Sequence, residues 1–106
     1  MNICVVSTFE GDVEEFMSMV AEFDEEINEA ASAIEFGVVN TNKEGLSKII
    51  TIANITNEER FQEIMSSPKM VAWDKAHNNK DDIYSIEKKN LVPDLHLPPL
   101  CNVYIP

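Results

Sequence analysis

The chain has 106 residues and a formal net charge of −11, from 19 acidic and 8 basic side chains. That length accommodates one core and not two, and 44% apolar with 25% charged residues is a globular composition rather than a disordered one. The charge argues against nonspecific nucleic-acid binding and against an anionic membrane surface, since both need basic faces.

The charge is unevenly placed. Residues 1–42 hold ten acids and no Lys or Arg, and residues 43–106 hold nine acids and eight bases. The start, Met1-Asn2-Ile3-Cys4-Val5-Val6, has no basic segment of a secretory leader, and no stretch reaches the roughly 20 apolar residues that span a bilayer. The two cysteines, Cys4 and Cys101, are no disulfide framework. Free thiols in a reducing cytoplasm are the expectation.

Asn2 to Phe9 is rich in β-branched residues and reads as a strand, closed by Gly11-Asp12. Asp12 is placed to cap a helix, with Glu15 three residues on. One long helix is predicted from there to about Ala31, roughly 30 Å at 1.5 Å per residue. Its apolar stripe is Val13, Phe16, Met17, Val20, Phe23, Ile27 and Ala30. Glu14, Glu15, Glu22, Asp24, Glu25, Glu26 and Glu29 take mostly the remaining surface. The pairs Glu22/Glu26 and Glu25/Glu29 are four apart, which costs a few tenths of a kcal/mol each. This acidic face reads either as a solvated exterior or as a dock for a basic partner protein.

Ala33–Asn40 and Leu46–Ile55 read as the next two strands, joined by the hairpin turn Thr41-Asn42-Lys43-Glu44-Gly45. In the third strand Leu46, Ile50 and Ile52 point one way, and Ile49, Ala53 and Ile55 the other. A sheet with one solvated face would alternate more cleanly, so both faces are expected to be covered. Thr56 begins the next helix, with Glu59 at the capping-box position and Phe61, Ile64 and Met65 inside. Ser66-Ser67-Pro68 interrupts it. Ser67 caps a renewed helix with Pro68 in its first turn. This piece carries Met70, Val71, Trp73, Ala76 and His77, and stops at Asn78-Asn79. Asp82–Lys88 is the fourth strand. Leu91 to Pro106 holds four of the five prolines among many apolar residues, and reads as an extended arm packed on its own domain or on a partner. The domain boundary falls between 1–89 and 90–106.

The order β-α-β-β-α-β is the ferredoxin-like split βαβ pattern, an α+β fold with an antiparallel four-stranded sheet and two helices on one face. Over residues 2–89 the chain resembles the dimeric α+β barrel proteins, among them the antibiotic-biosynthesis-monooxygenase-like and stress-responsive barrel families. The resemblance rests on the long acidic first helix, the hairpin after it, and the Pro68-to-Trp73 cadence of the broken second helix. It implies a homodimer formed through the open sheet faces, with the arm crossing or bracing it, and a pocket between helices and sheet. The superfamily includes cofactor-free oxygenases, haem-binding enzymes and small-molecule isomerases, so the fold does not select an activity.

Trp73 and His77, at i and i+4, share a helix face. His77 could act as a base or ligate haem, and Trp73 could stack on a planar ligand. Equally, Trp73 could be core and His77 a helix-terminal residue at the dipole's negative end. Asn54 and Tyr84 are further candidates for ligand contact, Tyr84 also reading as a core-filling sheet residue. Haem-degrading relatives use an Asn on the first strand with a Trp and a His on the second helix. Asn2, Trp73 and His77 match in type, but the Trp stands closer to the His than that pattern has it. His96 reads as an arm residue. No finger spacing, calcium loop, Gly-rich phosphate loop or serine-nucleophile motif occurs, so no metal and no cofactor is assigned. The sequence favours binding of a small hydrophobic or aromatic molecule, as a cofactor-independent monooxygenase or an isomerase. The alternative is a non-catalytic dimeric module that uses its acidic helix face.

Overall fold

The computed structural model describes residues 1–87. The proposed arm, with His96 and Cys101, lies outside them. The elements are β1 (Ile3–Glu10), α1 (Val13–Ala21), α2 (Asp24–Ala30), β2 (Ala31–Val39), β3 (Leu46–Ile55), α3 (Glu58–Met65), α4 (Pro68–Ala76) and β4 (Lys80–Ser85). The strands form one sheet in the order β2-β3-β1-β4, every neighbouring pair antiparallel. This is the ferredoxin-like α+β topology read from the sequence.

Strand parity divides the sheet. Ile3, Val5, Ser7 and Phe9 of β1 and Ile49, Thr51, Ala53 and Ile55 of β3 share the face under the helices. Phe9 and Ile49 are fully buried there, among Phe16, Met19, Phe23, Ala30, Ile64 and Met70. The other face carries Cys4, Val6 and Thr8 beside Ile52, Ile50 and Lys48. Its centre is apolar and no element of residues 1–87 covers it.

The single long helix expected up to Ala31 is instead two. The N–H groups of Glu22 and Phe23 bond to Met19 and Val20, three residues back, which tightens the chain into a 3₁₀-like turn. A continuous helix would stack Glu22 on Glu26. The break makes Asp24, Glu25 and Glu26 the first turn of α2, where negative charge favours the helix dipole. Glu22 pairs instead with Lys69, 3.0 Å away on α4. The buried flank also differs: Met19 is 4% exposed and Met17 is 37% exposed. Both flank the Phe16–Val20–Phe23 stripe, and the seat of α1 on the sheet decides between them.

Asp12 caps α1, accepting from the Glu15 N–H at 2.8 Å, and Ser67 caps α4 with Pro68 behind it. At α3 the cap is one residue later than Thr56. Asn57 Oδ1 accepts from the Arg60 N–H at 3.0 Å, while the Thr56 N–H is taken by the Ala30 carbonyl at 2.8 Å. Glu59 therefore falls outside the capping box. β2 begins at Ala31, two residues earlier than expected, and β4 at Lys80 rather than Asp82.

Candidate functional site

Three loops meet where β1 ends. The Glu10 N–H donates to the His77 carbonyl at 2.7 Å, and the Gly11 N–H to the Gly45 carbonyl at 3.1 Å. Ser47 Oγ donates to the Gly11 carbonyl at 2.7 Å. Gly11 has φ +136°, and a Cβ there would stand 3.1 Å from the His77 ring. Both the conformation and the space call for glycine.

His77, the residue that closes α4, stacks on Trp73 with ring centroids 4.0 Å apart and 18° between planes. Trp73 in turn meets Phe9 and Phe16 edge-on, at 5.2 and 5.8 Å. The i, i+4 pairing read from the sequence is thus physically made, and it extends the aromatic core to the surface. His77 Nδ1 lies 3.0 Å from the Trp73 carbonyl, and Nε2 lies 2.8 Å from Glu15 Oε2. A carbonyl and a carboxylate only accept, so both contacts are hydrogen bonds at once only when the ring is protonated, and the arrangement favours that form. The backbone bond to Trp73 is the main cause that raises its pKa above 6.5, followed by the bond to Glu15, with partial burial opposing. When protonated and holding both bonds, His77 has no lone pair free for a general base or for a haem iron. In its protonated form it is a cation at a helix C-terminus, where the dipole favours it.

The other sequence candidates lie elsewhere. Asn54 and Tyr84 have the parity of the open face, pairing with Ala33 and Cys4 respectively, and Tyr84 is 56% exposed. Asn54 Nδ2 donates to Ser32 Oγ at 2.8 Å. Asn2 joins the sheet: its amide donates to the Ile55 carbonyl at 2.8 Å and accepts from the Ile55 N–H at 2.7 Å. It therefore precedes β1, at the opposite end of that strand from His77, about 26 Å away along the strand at roughly 3.3 Å per residue. The haem-degrading constellation is not assembled.

The cavity lies between sheet and helices but not at Trp73 or His77. It measures about 90 Å³, and Val5, Phe16, Met19, Ile34, Ala53 and Ile64 contribute to its apolar wall. Ser7, Thr51, Asn79 and Asp81 are its polar members. Asp81 Oδ1 accepts from Ser7 Oγ at 2.6 Å and from Asn79 Nδ2 at 2.9 Å. Asn79 Nδ2 also donates to Asp74 Oδ1 at 2.8 Å. Burial is the main cause that raises the Asp74 pKa, with Asp81 adding to it and the Asn79 bond opposing.

Sequence reasoning did not reach this network. Asn78-Asn79 reads as a helix stop, and starting β4 at Asp82 hid the inward parity of Asp81. An acid at an inward strand position was the signal available. Among the described residues no cluster of three or more ligating side chains is placed to hold a metal ion, and no helix is long and apolar enough to cross a membrane.

No protein-family model matches the sequence, and no curated protein matches it. Solved structures do resemble the fold. The de novo designed protein Ferredog-Diesel superposes with a TM-score of 0.52 at 15% identity, over 79% of this chain and 84% of that one. At3g17210 from Arabidopsis thaliana gives 0.50 at 13% identity, over 87% and 99%. A point mutant of SnoaB, a cofactor-independent oxygenase from Streptomyces nogalater, gives 0.52 at 14% identity, over 86% and 98%. The family resemblance read from the sequence holds at the level of fold, which a protein designed from nothing shares equally with a natural oxygenase.

Proposed function

We propose that this chain is a small-molecule-binding protein that works as a homodimer and takes a small hydrophobic ligand into the helix–sheet cavity. The observation that carries the reading is the cavity itself, an apolar space with a few polar groups, as ligand sites are built. The open sheet face supports the dimer: its centre, Val6, Ile50 and Ile52, is apolar where a solvated face would be polar. A second copy packed there would bring Tyr84 and Asn54 into the intersubunit layer. The fold shared with SnoaB supports cofactor-independent oxygenation as the chemistry to test first, with isomerisation as its neighbour.

At about 90 Å³ the cavity is smaller than the roughly 150 Å³ that admits benzene. Small aliphatic ligands fit the walls as they stand, and aromatic ones require the walls to move. The acidic helix face has local uses that need no partner: the first turn of α2 and ion pairs from Glu22 to Lys69 and Glu29 to Arg60.

The test uses the single tryptophan. Phe16 both lines the cavity and touches Trp73, so occupancy should perturb Trp73 fluorescence. Titration with short alcohols, amines and monocyclic phenols should give saturable changes, with oxygen consumption followed for the phenols. Absence of any saturable response across the series overturns the reading.

A further inference from the structure

The walls of the helix–sheet cavity are not equally free to move. Its floor is the β1–β3 ladder, where Ile3 pairs with Ala53 and Val5 with Thr51. Its polar end is held by the bonds to Asp81 Oδ1 from Ser7 Oγ at 2.6 Å and from Asn79 Nδ2 at 2.9 Å. Phe16 is fixed among three rings, stacked on Phe9 and edge-on to Phe36 and Trp73. Ile27, Ile34 and Ile64 of the wall are β-branched and stiff at the first side-chain torsion. Met19, Met65 and Met70, which also line the cavity, differ from these. Each is unbranched, with three rotatable bonds and a polarizable sulfur. Each also stands beside a helix break. The Met19 carbonyl accepts from the Glu22 N–H where α1 ends. Met65 is the last residue of α3, and Met70 lies in the first turn of α4, on the other side of Ser66-Ser67-Pro68.

At about 90 Å³ the cavity holds a short aliphatic chain as it stands, whereas benzene takes roughly 150 Å³. The difference has to come from side chains that can change rotamer without breaking a ladder, a ring stack or a buried hydrogen bond. The methionines meet that condition, and a thioether sulfur is favourable against the edge of an aromatic ring. We propose that Met19, Met65 and Met70 form a movable wall that sets the size of the ligand, turning aside to admit a single aromatic ring and meeting its edge with their sulfurs. The proposal rests on the cavity being a ligand site, and it assigns the residues that decide what enters.

The experiment labels the methionine methyl groups of the full chain with carbon-13 and titrates it with benzene and, separately, with 1-propanol. The signals are assigned by replacing each methionine singly with leucine, which nearly conserves volume. The chain has five methionines, and the two outside the wall, Met1 and Met17, are exposed and serve as internal controls. A bound ring shifts the methyl groups it touches. Benzene should therefore move the Met19, Met65 and Met70 signals saturably and leave those of Met1 and Met17 in place. Met65→Ile puts a stiff, β-branched side chain at the half-buried position of the wall. It should weaken benzene binding by at least about fivefold and change 1-propanol binding by less than about twofold. Should that variant fail to fold, the titration of the parent decides. Binding of 1-propanol without benzene overturns the movable wall and leaves the cavity reading standing. Binding of neither overturns both. Benzene that binds, by Trp73 fluorescence, without moving the three signals, or that binds folded Met65→Ile as tightly as the parent, overturns the assignment of these residues.

Discussion

His77 Nε2 stands 2.8 Å from Glu15 Oε2 across 62 positions of sequence, while its other nitrogen is held by Trp73 one turn back. This clamp ties the end of α4 to the first turn of α1. Because the folded His77 pKa is raised, the clamp's contribution is fully present below the unfolded value near 6.5 and is lost as pH rises through the folded value. Stability should therefore decline from about pH 6.5 upward, and Glu15→Gln should shrink that slope. Thermal denaturation from pH 5 to 9 on both proteins checks it. A slope in Glu15→Gln equal to the parent's would remove Glu15 from the clamp. His77→Ala at pH 6 should cost about 1–2 kcal/mol.

Gly11 is the tightest backbone position beside that clamp. Alanine there must adopt φ +136° and place a Cβ 3.1 Å from the His77 ring. Gly11→Ala should destabilise by about 1–3 kcal/mol, seen as a lower denaturant midpoint with an unchanged m-value. Gly37 has open space around its Cβ position and an ordinary φ, so Gly37→Ala serves as the control and should be close to neutral.

What the sequence made legible was local. The succession of elements along the chain, the Ser67-Pro68 restart and the Asp12 cap follow from residues within a few positions of one another. The Trp73–His77 stack follows from a spacing of four. The break at Phe23 was not legible, because neither proline nor glycine marks it. The chain tightens there through the bonds of Glu22 and Phe23 to Met19 and Val20, and Glu22 meets Lys69, which arrives from α4. Glu15 as the partner of His77, and Ser7 as the partner of Asp81, were hidden for the same reason: each pairing spans most of the chain. Parity was a partial guide. It separated Ile49 from Ile50 correctly, but a boundary displaced by two residues left Asp81 out of β4.

The α3 cap offers a case where two adjacent residues competed. Asn57 Oδ1 holds the Arg60 N–H, whereas Thr56 Oγ1 reaches the Ala30 carbonyl only at 3.4 Å. Asn57→Ala should cost about 1 kcal/mol, the usual loss of an N-cap, and Thr56→Ala clearly less. Chemical denaturation of the two single variants decides, and the reverse ranking would return the cap to Thr56.

The open sheet face is tested by neighbours on β3. Ile49 and Ile50 are consecutive, so they point to opposite faces. Ile49 is 0% exposed under the helices, and Ile49→Lys would bury an unpaired charge in the core. It should unfold the domain. Ile50 pairs with Val6 at the centre of the uncovered face, and its lysine would reach water in a monomer. Ile50→Lys should therefore keep the circular dichroism spectrum and the denaturation midpoint expected of a monomer. If two copies meet through this face, the same charge is trapped between two apolar layers, and the dimer should weaken by tenfold or more, about 1.4 kcal/mol. Sedimentation equilibrium over a range of concentrations measures this directly. A parent protein monomeric throughout, or an Ile50→Lys dimer as tight as the parent's, would mean that this face is not where two copies meet.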